Sequence, residues 1–420
     1  MLLRRREATT LLPQARLKRV LSKALLVLTS VTVTLLLLEG VARLARRFGG
    51  GGKEAGETDR YHEYDPLLGW RKKPNAQVVY KRREYQVEVR INGLGLRDPE
   101  RTRQPAPGTY RILALGDSFL EGYTVPLEQA ATQLLEKSLR RRGCAVEVLN
   151  GGTAAYSTDQ EVLFYQWQGV DYGSRVVALF FYYNDVLFND RQEYFGSFKP
   201  AFELHPDGLC LHRYPVRERQ PAPPAQEAET AEKKSGSALL EWIQDRMWYG
   251  APGAYNGVAR LGLWKPMPAV SPRLEMFVYS RRQLDEIEGA WQKTEALLDL
   301  LNREVRAQGA QLLVVYVPSK MEVQERSWEL TKTLYRLNER QWDRGAVARR
   351  LTLIGGSRGF PVLDLTTALR RADRGVLGTP HFTYDGHWTP VGHAVAARET
   401  EAFLARVGWL PPCTGSAPRP

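Results

Sequence analysis

The sequence predicts an α/β protein whose parallel sheet carries helices on both faces, preceded by an apolar helix and a small β-rich segment. From about residue 110, short apolar runs that are typical of buried strands alternate with amphipathic stretches of helical length. This alternation favours a parallel sheet, because a helix returns the chain to the edge where the next strand begins. With 420 residues, the chain is long enough for more than one domain.

The N-terminal region predicts a membrane anchor. Residues 24–38 contain only Thr and Ser as polar side chains, and the apolar character continues to Leu44. About 20 such residues can cross a bilayer core of ~30 Å. We expect one span over 24–44, with the more basic segment 1–23 in the cytoplasm and the rest exported to the periplasm or the cell exterior. The alternative is a signal peptide cleaved near Gly40-x-Ala42.

The net charge of +12 does not indicate a nucleic-acid partner once it is located along the chain. Residues 1–53 carry eleven Lys or Arg against two Glu, a net of +9, so the remainder carries only about +3. Three cysteines permit at most one internal disulfide and leave one thiol, and their spacing excludes a Cys-rich zinc site. His381, His387 and His393 stand six residues apart, a spacing that places no pair on one helical face near a metal, so no metal site is expected.

A polar, Gly-rich stretch follows the anchor, and we expect a flexible linker over 45–59. Residues 60–105 then contain short strand patterns at 77–80 and 85–91 and a strong turn signal at Asn92-Gly93. They are expected to form a β-rich lead-in that packs as a cap or edge hairpin on the main domain.

The first half of the main domain, expected over 106–410, contains three predicted strands that each end in small or polar residues. The strands cover 111–115, 145–149 and 176–183, with helices at about 127–142 and from about 157. The residues after the strands are Gly116 with Asp117, the turn Asn150-Gly151-Gly152, and Asn184 with Asp185. Carboxyl ends of parallel strands meet at one sheet edge, so these residues are expected to share a site there.

An insert at 190–275 shows no alternation of strand and helix patterns. Its segment 213–237 has the composition of a mobile surface excursion. A short helix at 239–249 is expected to pack against the core rather than on a membrane or partner. The alternation of strand and helix patterns resumes after the insert. We expect a helix at 280–308, a strand at 311–317, a helix at 323–351 and a strand at 361–365. A last helix is expected from Thr389-Pro390 to about 407, before a tail at 411–420.

Ser118, at the carboxyl end of the first strand, is the candidate nucleophile. A serine hydroxyl needs a base, and the base needs a carboxylate that orients it, and His387 and Asp385 supply these in the loop before the last helix. The backbone N–H of Ser118, the backbone near 152–155 and the side-chain amide of Asn184 are candidate donors to an oxyanion. Two alternatives remain: Ser118-x-x-Glu121 also fits a capping box, and His393 could serve as the base, although it lies inside a predicted helix.

Four short blocks resemble those of the SGNH (GDSL-type) hydrolase superfamily, in the same chain order. They are Gly116-Asp117-Ser118, the turn from Asn150 to Ala155, Tyr183-Asn184-Asp185, and Asp385-Gly386-His387 followed by Gly392. The resemblance covers about 108–188 and 310–407. It implies a three-layer, flavodoxin-like α/β/α sandwich and ester hydrolysis or acyl transfer through an acyl-serine, without a metal or organic cofactor.

Two positions depart from the family pattern. Ala155 stands where a glycine usually gives its N–H to the oxyanion, and Asp385 stands two residues before the histidine rather than three. The block Asp385-x-His387-Trp388 is similar to that of proteins that O-acetylate alginate and related polysaccharides, although in those proteins it precedes the serine.

The residues and the resemblance together predict a serine esterase that acts on O-acetyl groups of a glycan. An O-acetyltransferase with the same three residues is the first alternative, and the insert 190–275 would help to build its acceptor groove. A non-catalytic carbohydrate-binding or assembly protein is the second alternative, kept open by Asp385 and Ala155. A lipase is disfavoured because no long apolar lid is evident in the sequence.

Overall fold

The computed structural model describes residues 14–49, 61–194, 197–218, 236–268, 270–375, 378–410 and 413. It divides into two compact units, Met1–Gly50 with Ala228–Met247 and Gly51–Glu227 with Trp248–Pro420. The predicted segment boundaries stay predictions, and the predicted linker falls almost wholly outside the described residues.

The first unit is built on helix α1 (Gln14–Gly49). Within it, the 28 residues Lys18–Ala45 form a helix that is long and apolar enough to cross a membrane. A signal sequence near an N-terminus can have the same length and composition. The hydroxyls of Thr29, Thr32 and Thr34 each donate to the carbonyl four residues earlier, at 2.8 Å. These bonds satisfy the three hydroxyls within the helix itself.

The lead-in consists of two antiparallel hairpins, of which the sequence predicted strands only for the second. They comprise β1 (His62–Asp65) with β2 (Gly69–Lys72), and β3 (Gln77–Lys81) with β4 (Gln86–Arg90). Tyr80, Val87 and Val89 of the second hairpin form a small core with Tyr61 and with Tyr123 of the main domain.

The main domain follows in chain order. Its first part contains β5 (Tyr110–Gly116), α2 (Ser118–Glu121), α3 (Ala131–Arg141), β6 (Val146–Asn150), α4 (Thr158–Trp167), β7 (Val176–Tyr182) and α5 (Asp185–Phe188). The insert contains β8 (Glu193–Tyr194), β9 (Ser197–Phe198), β10 (Ala201–His205), β11 (Gly208–His212), α6 (Ala238–Gly250) and α7 (Pro252–Arg260). The last part contains α8 (Asp285–Ala307), β12 (Gln311–Val317), α9 (Lys320–Val323), α10 (Glu325–Tyr335), α11 (Ala346–Arg358), β13 (Val362–Asp364), α12 (Thr366–Asp373) and α13 (Pro390–Arg406).

Five parallel strands form one sheet in the order β13-β12-β7-β5-β6. Successive side chains point to opposite faces, so Leu113 and Leu115 of β5 enter one core while Ile112 and Ala114 enter the other. Helices α4, α8 and α11 supply the first core, and α3, α12 and α13 the second. The strands are apolar on both faces because both are covered, and the predicted three-layer fold is confirmed.

Several predicted helix bounds are wrong. The single helix expected over 323–351 is instead α9, α10 and α11, because Gln324 adopts an extended conformation and Arg336 a left-handed one at φ 49°. The helix expected from 127 begins as a 3₁₀ turn at Leu127–Gln129, and an extended Ala130 separates that turn from α3.

The expected packing of the helix near 239–249 against the core stays a prediction. Of the 13 residues of α6, all of them described, Ala238 alone is buried, and Trp242 is 52% exposed. The carboxylate of Glu39 in α1 accepts the N–H groups of Ala238 and Leu239, each at 2.9 Å, and the hydroxyl of Ser237. The first turn of α6 is therefore capped by α1. The excursion expected at 213–237 falls mostly outside the described residues.

Cys144 and Cys413 form a disulfide, and Cys210 is free and exposed. This is the single internal disulfide that three cysteines allow.

Candidate active site

Strand β5 delivers Ser118 to the carboxyl edge of the sheet. Asp117, not Ser118, caps the short helix α2, because its Oδ1 accepts the N–H of Phe119 at 2.8 Å. Glu121 accepts the N–H of Ala154 at 2.6 Å instead of reaching back to a cap. The capping-box interpretation of Ser118 is therefore wrong, and its hydroxyl is left for another partner.

That partner is His387. Ser118 Oγ lies 2.8 Å from His387 Nε2, and His387 Nδ1 lies 2.5 Å from Asp385 Oδ1. A proton on Nδ1 that faces a carboxylate leaves Nε2 as an acceptor for the serine hydroxyl. The three side chains that the sequence singled out thus form one hydrogen-bonded chain.

The loop that carries His387 is fixed at its turn and at its far end. Gly386 has φ +88°, the left-handed conformation that lets Asp385 fold back toward a histidine only two residues away. Trp388 is fully buried and packs edge-on against Phe119, with ring centroids 5.4 Å apart. The His387 ring itself lies 4.8 Å from the Phe119 ring.

The Asp385 carboxylate is held in its charged form. Burial opposes ionisation, but hydrogen bonds from His387 and from Tyr85 hold the pKa of Asp385 below its usual range. Tyr85 donates its hydroxyl to Asp385 Oδ2 at 2.8 Å, which leaves Oδ1 for His387. An ionised acid can stabilise the imidazolium that forms when the histidine takes a proton.

The other two candidate histidines have no comparable place. Burial lowers the pKa of His381 and of His393 to about 3, so both stay neutral. His393 lies in α13 and is buried, and neither of its ring nitrogens has a partner among the described residues. In the same part of the chain, no group of three or more His, Cys, Asp or Glu could hold a metal ion.

The loop after β6 leaves one backbone donor unused. Gly152 donates its N–H to Asn150 Oδ1 at 3.0 Å, Thr153 to the carbonyl of Gly116 at 2.9 Å and Ala154 to Glu121. Among the described residues, the N–H groups of Ala155 and Ser118 have no acceptor. Ala155 has φ +67°, a conformation that favours the glycine usual at this position.

Asn184 follows β7, the strand beside β5, in which Phe180 pairs with Gly116. Its Oδ1 is buried without a partner, and its amide makes no hydrogen bond within the described ranges. The place of Asn184 at the neighbouring strand end agrees with the predicted role of its amide as a donor to an oxyanion. The contact with an oxyanion stays a prediction.

Two residues of the lead-in hold this loop and were missed by sequence reasoning. The buried Lys72 amine donates to the carbonyl of Gly152 and, at 2.8 Å, to Thr153 Oγ1, and Trp70 Nε1 donates to the carbonyl of Ala154 at 3.0 Å. Burial lowers the pKa of Lys72 to about 8. The available signal was a lysine on the inward-facing side of a short strand, which requires a polar partner inside.

Lys320 secures the loop before Asp385. Its amine donates to the carbonyl of Thr383 at 2.6 Å, and burial lowers its pKa to about 8.

Comparisons with known proteins bear on part of the chain. Residues 276–416 match the family model of the SGNH hydrolase-like domain of the acetyltransferase AlgX, a range that contains Asp385 and His387 but not Ser118. No curated protein matches the chain in sequence.

Similar solved structures include TesA, the acetyl xylan esterase AlAXEase, and a catalytic mutant of Axe2, an acetylxylan esterase from Geobacillus stearothermophilus. Their identities are 12%, 10% and 12%, with TM-scores of 0.36, 0.36 and 0.35. They cover 71%, 70% and 72% of this chain and 99%, 99% and 96% of their own. At these scores the likeness carries no inference about activity. Through the family model, the resemblance to SGNH hydrolase-like proteins is confirmed over residues 276–416.

Proposed function

We propose that this protein is a serine-dependent enzyme that removes or transfers an ester-linked acyl group, with O-acetyl groups of a glycan as its substrate. The observation that carries the proposal is the hydrogen-bonded chain from Ser118 through His387 to Asp385, with distances of 2.8 and 2.5 Å. The family model supports the acetyl group, because its description names an acetyltransferase. The glycan rests on the resemblance to polysaccharide O-acetylation proteins alone.

In the first half of the proposed reaction, Ser118 Oγ attacks the ester carbonyl while His387 Nε2 takes its proton. The oxyanion of the tetrahedral intermediate accepts the free N–H groups of Ser118 and Ala155, with the Asn184 amide as a third donor. His387 then returns the proton to the departing alcohol oxygen, and the acyl group stays on Ser118. Asp385 keeps its charge and holds the imidazole.

In the second half, an acceptor hydroxyl attacks the acyl-serine, and His387 takes its proton and returns it to Ser118. Water as the acceptor gives an esterase, and a sugar hydroxyl gives an O-acetyltransferase. The transferase is the second candidate function. It is supported by the description of the matching family model, which names an acetyltransferase. The residues that start the reaction are the same in both cases.

The departures that favoured a non-catalytic protein are accommodated in the structure. Ala155 adopts the left-handed backbone of the usual glycine, and Gly386 makes the turn that a spacing of two residues requires. Both observations support the enzyme over the carbohydrate-binding or assembly protein.

The test compares the full-length protein in detergent micelles, as wild type and as Ser118→Ala, with p-nitrophenyl acetate and excess acetyl-accepting oligosaccharide. We expect the wild type to release nitrophenol and to react with a fluorophosphonate at Ser118, and the variant to do neither. The fraction of acetyl recovered on sugar rather than as free acetate separates transferase from esterase. A wild type that neither releases nitrophenol nor labels at Ser118 would favour the binding protein.

We also propose a single-pass anchor at 24–44 with the catalytic domain outside the cytoplasm. The apolar helix and the excess of basic residues before it support this topology, and so does the disulfide, a bond typical of oxidising compartments. Protease added to intact spheroplasts should digest the domain beyond residue 61 and spare an N-terminal tag; the reverse pattern would contradict the proposed orientation.

A further inference from the structure

The turn between β3 and β4 reaches the loop that carries the proposed acid and base. The Glu84 carboxylate accepts three consecutive backbone N–H groups, those of Thr383 at 2.6 Å, Tyr384 at 2.7 Å and Asp385 at 2.9 Å. The next residue, Tyr85, donates its hydroxyl to Asp385 Oδ2 at 2.8 Å. Two adjacent residues of one hairpin thus hold both the backbone and the side chain of Asp385.

This loop needs an external acceptor because it turns sharply. Asp385 and His387 face each other across Gly386, and the three consecutive residues that carry these N–H groups lie outside any strand or helix that could supply acceptors. A carboxylate satisfies such a concave row of donors with charge-assisted hydrogen bonds, which are stronger than neutral ones. Glu84 therefore fixes the direction from which Asp385 approaches the histidine.

The phenol of Tyr85 is suited to its part. Burial and the Asp385 carboxylate raise the pKa of Tyr85 well above its usual value, so the hydroxyl keeps its proton and remains a donor. Its ring packs 5.1 Å from that of Phe382, in the same loop. The phenol thus takes one carboxylate oxygen of Asp385 and leaves the other for His387.

The hairpin is itself anchored and provides a fixed reference. The Tyr80 ring of β3 packs edge-on against Tyr123, with centroids 5.0 Å apart, and Tyr123 packs 5.3 Å from the His387 ring. The Arg83 guanidinium stacks over the Tyr384 ring at 3.4 Å. The hairpin contacts therefore reach the loop at several side chains and not at one hydrogen bond.

We propose that Glu84 and Tyr85 are positioning residues for the reaction proposed above, on which this inference rests: they orient Asp385 and, through it, His387. Both lie outside the range 276–416 that matches the family model. The lead-in is thus part of the working site and not a passive cover.

The test uses four variants of the full-length protein in detergent micelles. Glu84→Ala removes all three acceptor contacts, Glu84→Gln keeps one carbonyl oxygen, and Tyr85→Phe removes the phenol donor. The control is Glu88→Ala in the same hairpin, whose carboxylate contacts Gln77 and Arg90. Each is measured for kcat and KM with p-nitrophenyl acetate, for amide hydrogen exchange in the 383–387 peptide and for thermal midpoint.

We expect Glu84→Ala to lower kcat by roughly 10- to 100-fold with KM and thermal midpoint little changed, because displacement of a catalytic group by about 1 Å has this effect. Exchange in the 383–387 peptide should rise in parallel. Glu84→Gln should fall between Glu84→Ala and the wild type, Tyr85→Phe should lose less than Glu84→Ala, and Glu88→Ala should match the wild type.

Two results would overturn the inference alone, given a wild type that labels at Ser118: unchanged exchange in Glu84→Ala, or faster exchange with unchanged kcat. A wild type that does not label at Ser118 would overturn the proposed function and this inference with it. The labelling reaction thus separates the two failures.

Discussion

Ala155 has a left-handed backbone, and its N–H is one of the donors proposed for the oxyanion beside Ser118. A residue with a Cβ pays about 1–2 kcal/mol in this region. The fold compensates for this cost by holding the preceding residues through Lys72, Trp70 and Glu121. The backbone strain therefore lies at Ala155, the residue whose N–H the proposed mechanism uses, as is common at functional sites.

Two substitutions of Ala155 should differ in the size of their effects. Ala155→Gly relieves the left-handed strain but gains entropy in the unfolded chain, so the free energy of unfolding should change by less than about 1 kcal/mol and kcat/KM by less than about threefold. Ala155→Val places a β-branched side chain at positive φ, so it should lose about 1–3 kcal/mol and lower kcat/KM at least about tenfold. Urea unfolding and p-nitrophenyl acetate turnover measure both. A fully active Ala155→Val would argue against the Ala155 N–H as an oxyanion donor.

At the scale of elements, the β6 loop approaches α2 closely, and these two elements carry Ala155 and Ser118, whose N–H groups are the proposed oxyanion donors. A Cβ built on Gly152 would lie 2.5 Å from the backbone nitrogen of Glu121 and 2.9 Å from the carbonyl carbon of Leu120. Neither atom belongs to a flexible side chain, so the loop or the helix would have to move. The glycine thus sets the distance between the two elements that carry Ser118 and Ala155.

Gly152→Ala should therefore lower the free energy of unfolding by about 1–3 kcal/mol. Its kcat should fall by a larger factor than the factor by which its KM changes. The matched control is Gly289→Ala in α8, where no atom lies within 4 Å of the new Cβ. That exposed helical site should gain about 0.5–1 kcal/mol and keep its activity. Urea midpoints and turnover of the two variants provide the measurement, and equal effects in both would refute the close-packing argument.

The elements also show what could be predicted from the sequence. The strands at 111–115, 145–149, 176–183 and 311–317 were placed within one or two residues, because strands covered on both faces are continuous apolar runs. The helix expected over 323–351 was not, since its breaks at Gln324 and Arg336 depend on what the three pieces pack against.

The residues of the candidate site also fall into those that the sequence pattern located and those that it did not. Ser118 stands directly after a strand, and His387 stands just before a helix with a clear start signal, so local pattern located both. Lys72, Glu84 and Tyr85 reach the site across about 80 to 300 residues of chain, and no local pattern reports such contacts. The supporting contacts therefore had to come from the structure.

At the scale of the whole molecule, the disulfide joins Cys144, just before β6, to Cys413, seven residues after α13 ends. It closes a loop of 269 residues, and cross-links of long loops restrict the unfolded chain most. The half-buried Trp409 and Leu410 between α13 and Cys413 pack on the second core. The cross-link therefore holds the end of the described chain against that face of the sheet.

Loss of this bond should cost about 2–5 kcal/mol of unfolding free energy. Cys144→Ala, Cys413→Ala and treatment of the wild type with dithiothreitol should lower the urea midpoint to similar extents. Cys210→Ala, at the free and exposed cysteine, should leave it unchanged. A midpoint insensitive to reductant, with the bond shown by mass spectrometry to be broken, would contradict the stabilising role.

The distance along the chain between the proposed nucleophile and base bears on when the enzyme becomes reactive during its synthesis. Ser118 is polymerised 269 residues before His387, an interval of roughly 15–50 s at common rates of translation. Throughout that interval the serine has no imidazole to accept its proton and is a poor nucleophile. Under the proposed roles, the growing chain is inert toward esters until the loop that carries His387 has been made and has docked beside Ser118.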